Sequence, residues 1–144
     1  MRPVREAQLR DANSTAGDVP PQDLDAEAAV ISACLGNSDI TDELAGVLRA
    51  EDFYSPVNAR IWAAMVWLSA AGQPTDAVAI ASRLRDTGHL AFVGGVPYLA
   101  HIADAAPAVA NVATYAQSVT TRSRARAMIR EAQRIAADGY RAID

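Results

Sequence analysis

Apolar residues recur along this chain at spacings of three and four, and no segment sustains the alternation that a half-buried strand requires. After Pro20-Pro21, Asp23 is the first candidate N-cap. Leu24, Ala28, Ile31 and Leu35 then form one helical face that ends at Gly36. A short helix is predicted from Asp39 to Leu48, carrying Ile40, Leu44 and Val47. The next start is the clearest. Ser55 can cap the free amides of a first turn, and Pro56 fits the first helical position, where its missing N–H costs nothing. Phe53 and Tyr54 precede that cap, where apolar residues pack back on a helix. Ile61, Met65 and Leu68 follow at helical spacing with Trp62 beside them, up to a stop at Gly72. Gln73-Pro74 makes a turn, Thr75 is the predicted cap of the next helix, and Val78, Ile80, Ala81 and Leu84 are its predicted buried side before Gly88. Gly94-Gly95 opens a helix with Tyr98, Leu99 and Ile102, and Pro107 closes it. From Asn111 a single helix is predicted to about Asp138, stopping at Gly139, roughly 42 Å long at the usual rise.

These elements predict an all-α protein. A compact bundle of five short helices at 20–108 is followed by one long projecting helix at 109–144, and a polar, mixed-charge lead at 1–19 is read as disordered. A helix of that length is too long to lie wholly on so small a body. The predicted core includes Phe53, Tyr54, Ile61, Trp62, Leu84, Tyr98 and Leu99.

Composition narrows the function. The chain has 144 residues, 51% of them hydrophobic but only 6% aromatic, and Ala supplies much of the rest, which favours helix. The lone Cys34 excludes an internal disulfide and suits a reducing cytoplasm, and two separated histidines, His89 and His101, argue against a structural zinc site. The first residues lack an apolar core and no run of 18 apolar residues occurs, so neither a signal peptide nor a membrane span is predicted. Lysine is absent, and all 13 basic residues are arginine, so the chain lacks the lysine that a standard P-loop places on nucleotide phosphates. Residues 20–111 hold four arginines against eleven acids, whereas residues 112–144 hold six against three. A body at −7 repels phosphate backbones, so weak or no DNA binding is expected of it.

No active site is legible. Gly94-Gly95 has no preceding strand and reads as a turn rather than a phosphate loop. Neither histidine has a nucleophile or carboxylate at triad spacing, and Asp23, Asp25 and Glu27 sit in a first helical turn, where the helix dipole accounts for acids. The long helix is more informative. Arg122, Arg126, Arg130 and Arg134 recur every four residues as a slowly drifting stripe, either a solvated face or a polar rim that docks an acidic surface or DNA. Tyr115, Val119, Ile129, Ala132, Ala136 and Tyr140 run along another part of the helix, an apolar stripe that needs a partner helix.

Several blocks, in order, resemble the N-terminal domain of DnaB-type replicative DNA helicases. They are Pro20 to Glu27; Asp52-Phe53-Tyr54 with Ile61-Trp62; Gly72 to Asp76 with Ala81 and Leu84; Gly88-His89-Leu90, Gly94-Gly95 and Tyr98-Leu99; and Pro107, Ala110-Asn111, Tyr115-Ala116 and Val119. The chain departs from the family at Ala28 to Ser32, where Gln-Ser-Val-Leu-Gly is usual, and at Asn58, where a His is common. The resemblance implies a domain without chemistry or cofactor of its own. Copies pair through a helical hairpin whose first arm is the long helix. Three pairs make a collar, and the collar contacts the DnaG-type primase and a helicase loader. ATP and Mg²⁺ belong to a motor domain that would lie beyond the second hairpin arm, so the chain reads as an N-terminal piece of a helicase. The alternatives are a stand-alone helical adaptor of phage or plasmid type, a primase's helicase-binding domain, and a ligand-binding helical regulator. One consequence is testable at once: isothermal titration with ATP–Mg²⁺ should show no saturable site, and micromolar binding at one site would contradict the reading of the missing lysine.

Overall fold

Four helices of this protein start where a side-chain oxygen holds the first free amides, whereas the long helix that follows Asn111, an expected cap, has no side-chain cap hydrogen bond. Asp23 Oδ1 accepts from the Ala26 amide at 3.0 Å, Asn37 Oδ1 from Ile40 at 3.1 Å, Ser55 Oγ from Asn58 at 3.2 Å and Asp76 Oδ1 from Ala79 at 2.8 Å. The computed structural model describes residues 19–104 and 111–143. Among them the elements are α1 (Leu24–Cys34), α2 (Ser38–Ala45), a 3₁₀ turn (Ala50–Asp52), α3 (Pro56–Ala70), α4 (Ala77–Asp86), α5 (Gly95–Asp104) and α6 (Val112–Arg141), with no strand among the described residues. The all-helical class and the order of five short helices before a long one agree with the sequence. The lead at 1–18, the Pro107 stop and Ala110 lie outside the described residues.

Trp62 is the centre of the core. It is fully buried, its indole N–H donates to the Leu48 carbonyl at 3.1 Å, and its ring meets Phe53 with centroids 5.7 Å apart. Around it pack Ile31, Ile61, Met65, Ile80, Leu84 and Leu99, all buried. The helix stops predicted at Gly36, Gly72 and Gly88 stand at positive φ. Gly94 and Gly95 show why a glycine pair opens α5. Both have positive φ, and a Cβ on Gly94 would lie 2.9 Å from the Cβ of Tyr98.

Four local expectations are corrected. The face predicted for α1 is wrong at its start: Leu24 is exposed, while Ala26, Glu27, Val30, Ala33 and Cys34 are buried with Ile31. This helix packs against α2, α3, α5 and α6, so its covered arc is wider than a one-sided stripe. In the second helix Asn37 rather than Asp39 marks the start, the helix ends at Ala45, and Val47 faces solvent while Leu48 turns into the core. Asp76, not Thr75, caps α4; Thr75 is buried, its hydroxyl donates to the Cys34 carbonyl at 3.3 Å, and Val78 is exposed. The last helix runs through Gly139 to Arg141, since one exposed glycine in a long helix costs only about 1 kcal/mol.

Truncating Phe53 to Ala should lower unfolding stability by about 3–5 kcal/mol, because it opens a cavity against Trp62. Urea denaturation followed by far-UV circular dichroism measures this. A change under about 1 kcal/mol would mean that the aromatic pair is not the centre of the core.

Candidate interaction surface

The lower half of α6 is bound to the body, and the residues that bind it come from two of the predicted stripes. Ala116 and Val119 are buried, and Tyr115 packs partly buried against the core. Counting on from Val119, Ser123 and Arg126 follow at spacings of four and three, so both fall on the same inward face. Arg126 is only 8% exposed. Its guanidinium donates to the carbonyls of Pro21 and Asp52, each at 2.7 Å, and its Cζ lies 5.6 Å from the centre of the Tyr54 ring. Ser123 donates to Asp52 Oδ1 at 2.8 Å, and the other oxygen of that carboxyl group accepts the Arg49 amide at 2.8 Å. One turn earlier, Arg122 donates to Ser118 Oγ and Ser118 to Asp23 Oδ2, both at 2.6 Å. The Ser118 hydroxyl and then the Ala26 amide hold the Asp23 carboxyl below its usual range against the opposing effect of burial, and the Arg122 charge adds the least.

A second grip comes from α1. Glu27 is 1% exposed, and its carboxyl oxygens accept the amides of Tyr54 at 2.8 Å and Ser55 at 3.2 Å, and the Asn58 side-chain amide at 3.2 Å. The expectation that the helix dipole accounts for this acid is corrected: Glu27 secures the approach to a different helix, α3. Its spacing with Val30, Ile31 and Cys34 places it on the buried face of α1, a signal available in the sequence.

The predicted interaction residues therefore divide. Val119 belongs to the core and Tyr115 flanks it, so neither contributes to an outer stripe. Arg126 is a buried fastening rather than a rim, and Arg122 is partly buried in the same network. Tyr54, expected in the core, is partly exposed beside Arg126, and Tyr98 is half-buried against Gly94. Phe53, Ile61, Trp62, Leu84 and Leu99 are buried as expected. Beyond Arg126 the helix continues through residues 127–141, about 22 Å, without a buried side chain. Ile129, Ala132, Ala136 and Tyr140 follow one another at spacings of three and four, with Met128 and Ile135 on the adjoining flank, and all are exposed. Arg130 is exposed, and Arg134 pairs with Glu131 and with Asp138, holding the Glu131 carboxyl below its usual range.

Burial pushes the Cys34 thiol up to about 12, which leaves it protonated and unreactive. His89 Nδ1 lies 3.1 Å from Thr87 Oγ1, and His101 is exposed on α5. No group of three metal-ligating side chains occurs among the described residues, and no helix among them is long and apolar enough to cross a membrane.

Arg126→Ala should cost about 2–4 kcal/mol, because it removes a buried guanidinium and leaves two part-buried carbonyls without the charged donor that now satisfies them. Arg126→Lys should restore little, since one ammonium cannot reproduce the forked geometry. Arg130→Ala should stay within about 0.5 kcal/mol. Urea midpoints of the three variants provide the comparison, and equal losses at positions 126 and 130 would refute the distinction.

Residues 19–121 match the family described as the DnaB-like helicase N-terminal domain. The chain is 38% identical over 122 residues to the replicative DNA helicase DnaB of Geobacillus stearothermophilus, and 39% identical over 122 residues to the replicative DNA helicase DnaC of Bacillus subtilis. Each match covers 85% of this chain and 27% of the relative, so the chain spans about a quarter of the length of these curated relatives. The crystal structure of the N-terminal domain of DnaB helicase from Mycobacterium tuberculosis superposes with a TM-score of 0.80 at 34% identity, covering 85% of this chain and 88% of that one. The chain belongs to the family of DnaB-like helicase N-terminal domains.

Proposed function

We propose that this domain is the collar of a hexameric replicative DNA helicase of the cytoplasm, a scaffold and docking platform that performs no chemistry itself. The observation that carries this reading is the outer half of α6: a helix whose base is fastened by Arg126 and whose far end presents Ile129, Ala132, Ala136 and Tyr140 to solvent. Exposed apolar stripes of this kind mark contacts. Ala132 and Ala136 let a second helix approach closely, while Ile129 and Tyr140 supply the apolar area around them. In the proposed assembly, α6 is one arm of a helical hairpin, two domains pair through their hairpins, and three pairs close the collar. The globular part at 20–108 is then free to dock a DnaG-type primase and a helicase loader. ATP and Mg²⁺ serve the ATPase portion of such helicases, which translocates 5′ to 3′, and the collar contributes weakly or not at all to DNA binding.

The rim reading now rests on two arginines. Arg134 is engaged with Glu131 and Asp138 on its own helix, and Arg130 is available to a partner's acids. Both are exposed, so solvent and salt screen such pairs, which serve selectivity more than affinity.

Ile129→Asp should reduce self-association at least tenfold, because a carboxylate in an apolar helix contact has no compensating charge. Sedimentation equilibrium of both proteins, with circular dichroism to confirm unchanged helix content, measures it. Association of wild type that survives the substitution would assign pairing to another surface.

A further inference from the structure

A separate feature lies on the body, away from the α6 network. Along α3, Arg60, Ala63, Ala64 and Trp67 share a face, and across from them α4 supplies Arg83; with His89 they line a groove of about 280 Å³. Trp67 is the one tryptophan not in the core and is 45% exposed. The Arg83 guanidinium stands 3.7 Å above its ring. Among the described residues neither Arg60 nor Arg83 forms an ion pair. Residues 20–111 contain only four arginines against eleven acids, yet two of the four converge on this groove. A pair of unmatched guanidinium groups over an alanine floor, on a body of opposite sign, is complementary to acid flanking an apolar anchor.

The spacing defines the ligand further. Arg60 and Trp67 are seven residues apart, two helical turns or about 10 Å, and Arg83 sits on the Trp67 end. Carboxylates at positions i and i+7 of a helix have the same separation, with positions i+3 and i+4 between them. Single-stranded nucleic acid fits less well. Arg83 already covers one face of the Trp67 ring, and two arginines can match two carboxylates but not a run of phosphates. We propose that the α3–α4 groove docks an acidic amphipathic helix of a partner protein, with a carboxylate against each of Arg60 and Arg83 and an aliphatic side chain on the alanine floor. This goes beyond the collar reading and does not rest on it.

The probe is a synthetic 15-residue helical peptide with Glu at i and i+7 and Leu at i+3 and i+4, titrated into the full chain. Trp67 emission and isothermal titration serve as readouts, and a Lys-for-Glu peptide is the control. The acidic peptide should perturb Trp67 emission and bind at least tenfold tighter than the control, with affinity falling as salt is raised. The double variant Arg60→Glu/Arg83→Glu should lose at least tenfold for the acidic peptide and reverse the preference. Both side chains lie at the surface, and circular dichroism confirms that the fold is retained. Equal binding by wild type and the double variant, or no binding by either, overturns the proposal. Tighter binding of a single-stranded oligonucleotide that the double variant loses makes the groove a nucleic-acid site and also overturns it. Self-association of wild type abolished by the double variant assigns the groove to a second copy, and overturns it equally.

Discussion

The four residues Asp52 to Ser55 are gripped from two sides, and the geometry of the whole domain follows from that grip. Glu27 of α1 takes the amides of Tyr54 and Ser55, while Arg126 of α6 and Ser123 hold the carbonyl and carboxyl of Asp52. Between them Phe53 is driven inward onto Trp62. An extended turn leaves amides and carbonyls without helical partners, and each buried one costs about 1–3 kcal/mol unless it is satisfied. Here charged-type side chains from two helices satisfy them, so the turn, the start of α3 and the seat of α6 form one unit. Losing either grip exposes the other end of the unit to strain, which couples the direction of the long helix to the packing of the aromatic centre.

This coupling gives α6 two different halves. The inner half is held by buried apolar contacts and by a network that reaches back to Pro21 and Asp23. The outer half has no tertiary support of its own, and a bare helix of about 15 residues is marginal in water. Continuity with the fastened half supplies its nucleus, and the Glu131–Arg134–Asp138 pairs add a little more. An apolar stripe on a helix stabilised in this way is presented in a fixed direction before any partner arrives, which lowers the ordering cost of association.

How much of this was legible in the sequence depended on whether its cause was local. The caps at Asp23 and Ser55, the proline at position 56 and the stops at Gly36, Gly72 and Gly88 are decided within a few residues, and they were readable. Which face is buried is decided by neighbours distant in sequence. Leu24 looked like a core residue of α1 because it begins an apolar row, yet α1 is covered along an arc that starts at Ala26. The arginine row misled for a geometric reason. Residues four apart advance 400° around the helix, so each step drifts by about 40°. From Arg126 to Arg130 that drift only crosses the line of Val119 and Ser123, so both arginines share the inward direction; Arg126 is buried, and Arg130 and Arg134 are exposed because no side chain of the helix beyond Arg126 is covered by the body. Glu27 and Arg126 are the functional residues that composition argued against placing inside. Their burial makes sense only once the open backbone of residues 52–55 is in view. The block Asp52-Phe53-Tyr54, which carried the family resemblance, is thus a physical joint as well as a recognisable string.

The two candidate surfaces differ in the chemistry they select. The outer stripe of α6 is apolar with small residues at its centre, which suits another helix of the same kind and discriminates weakly by charge. The α3–α4 groove has a shallow apolar floor between two guanidinium groups, which suits an acidic helix and rejects a basic one. A copy of this body carries −7 over residues 20–111, so like bodies repel at long range. In the proposed pairing, contact through α6 would lessen that conflict by distance, because the stripe lies on the segment of helix that extends about 22 Å beyond Arg126. On the proposed pairing, the uneven charge along the chain would have a mechanical meaning: the acidic bodies would stay apart while the arms meet, and the groove on each body would be left open.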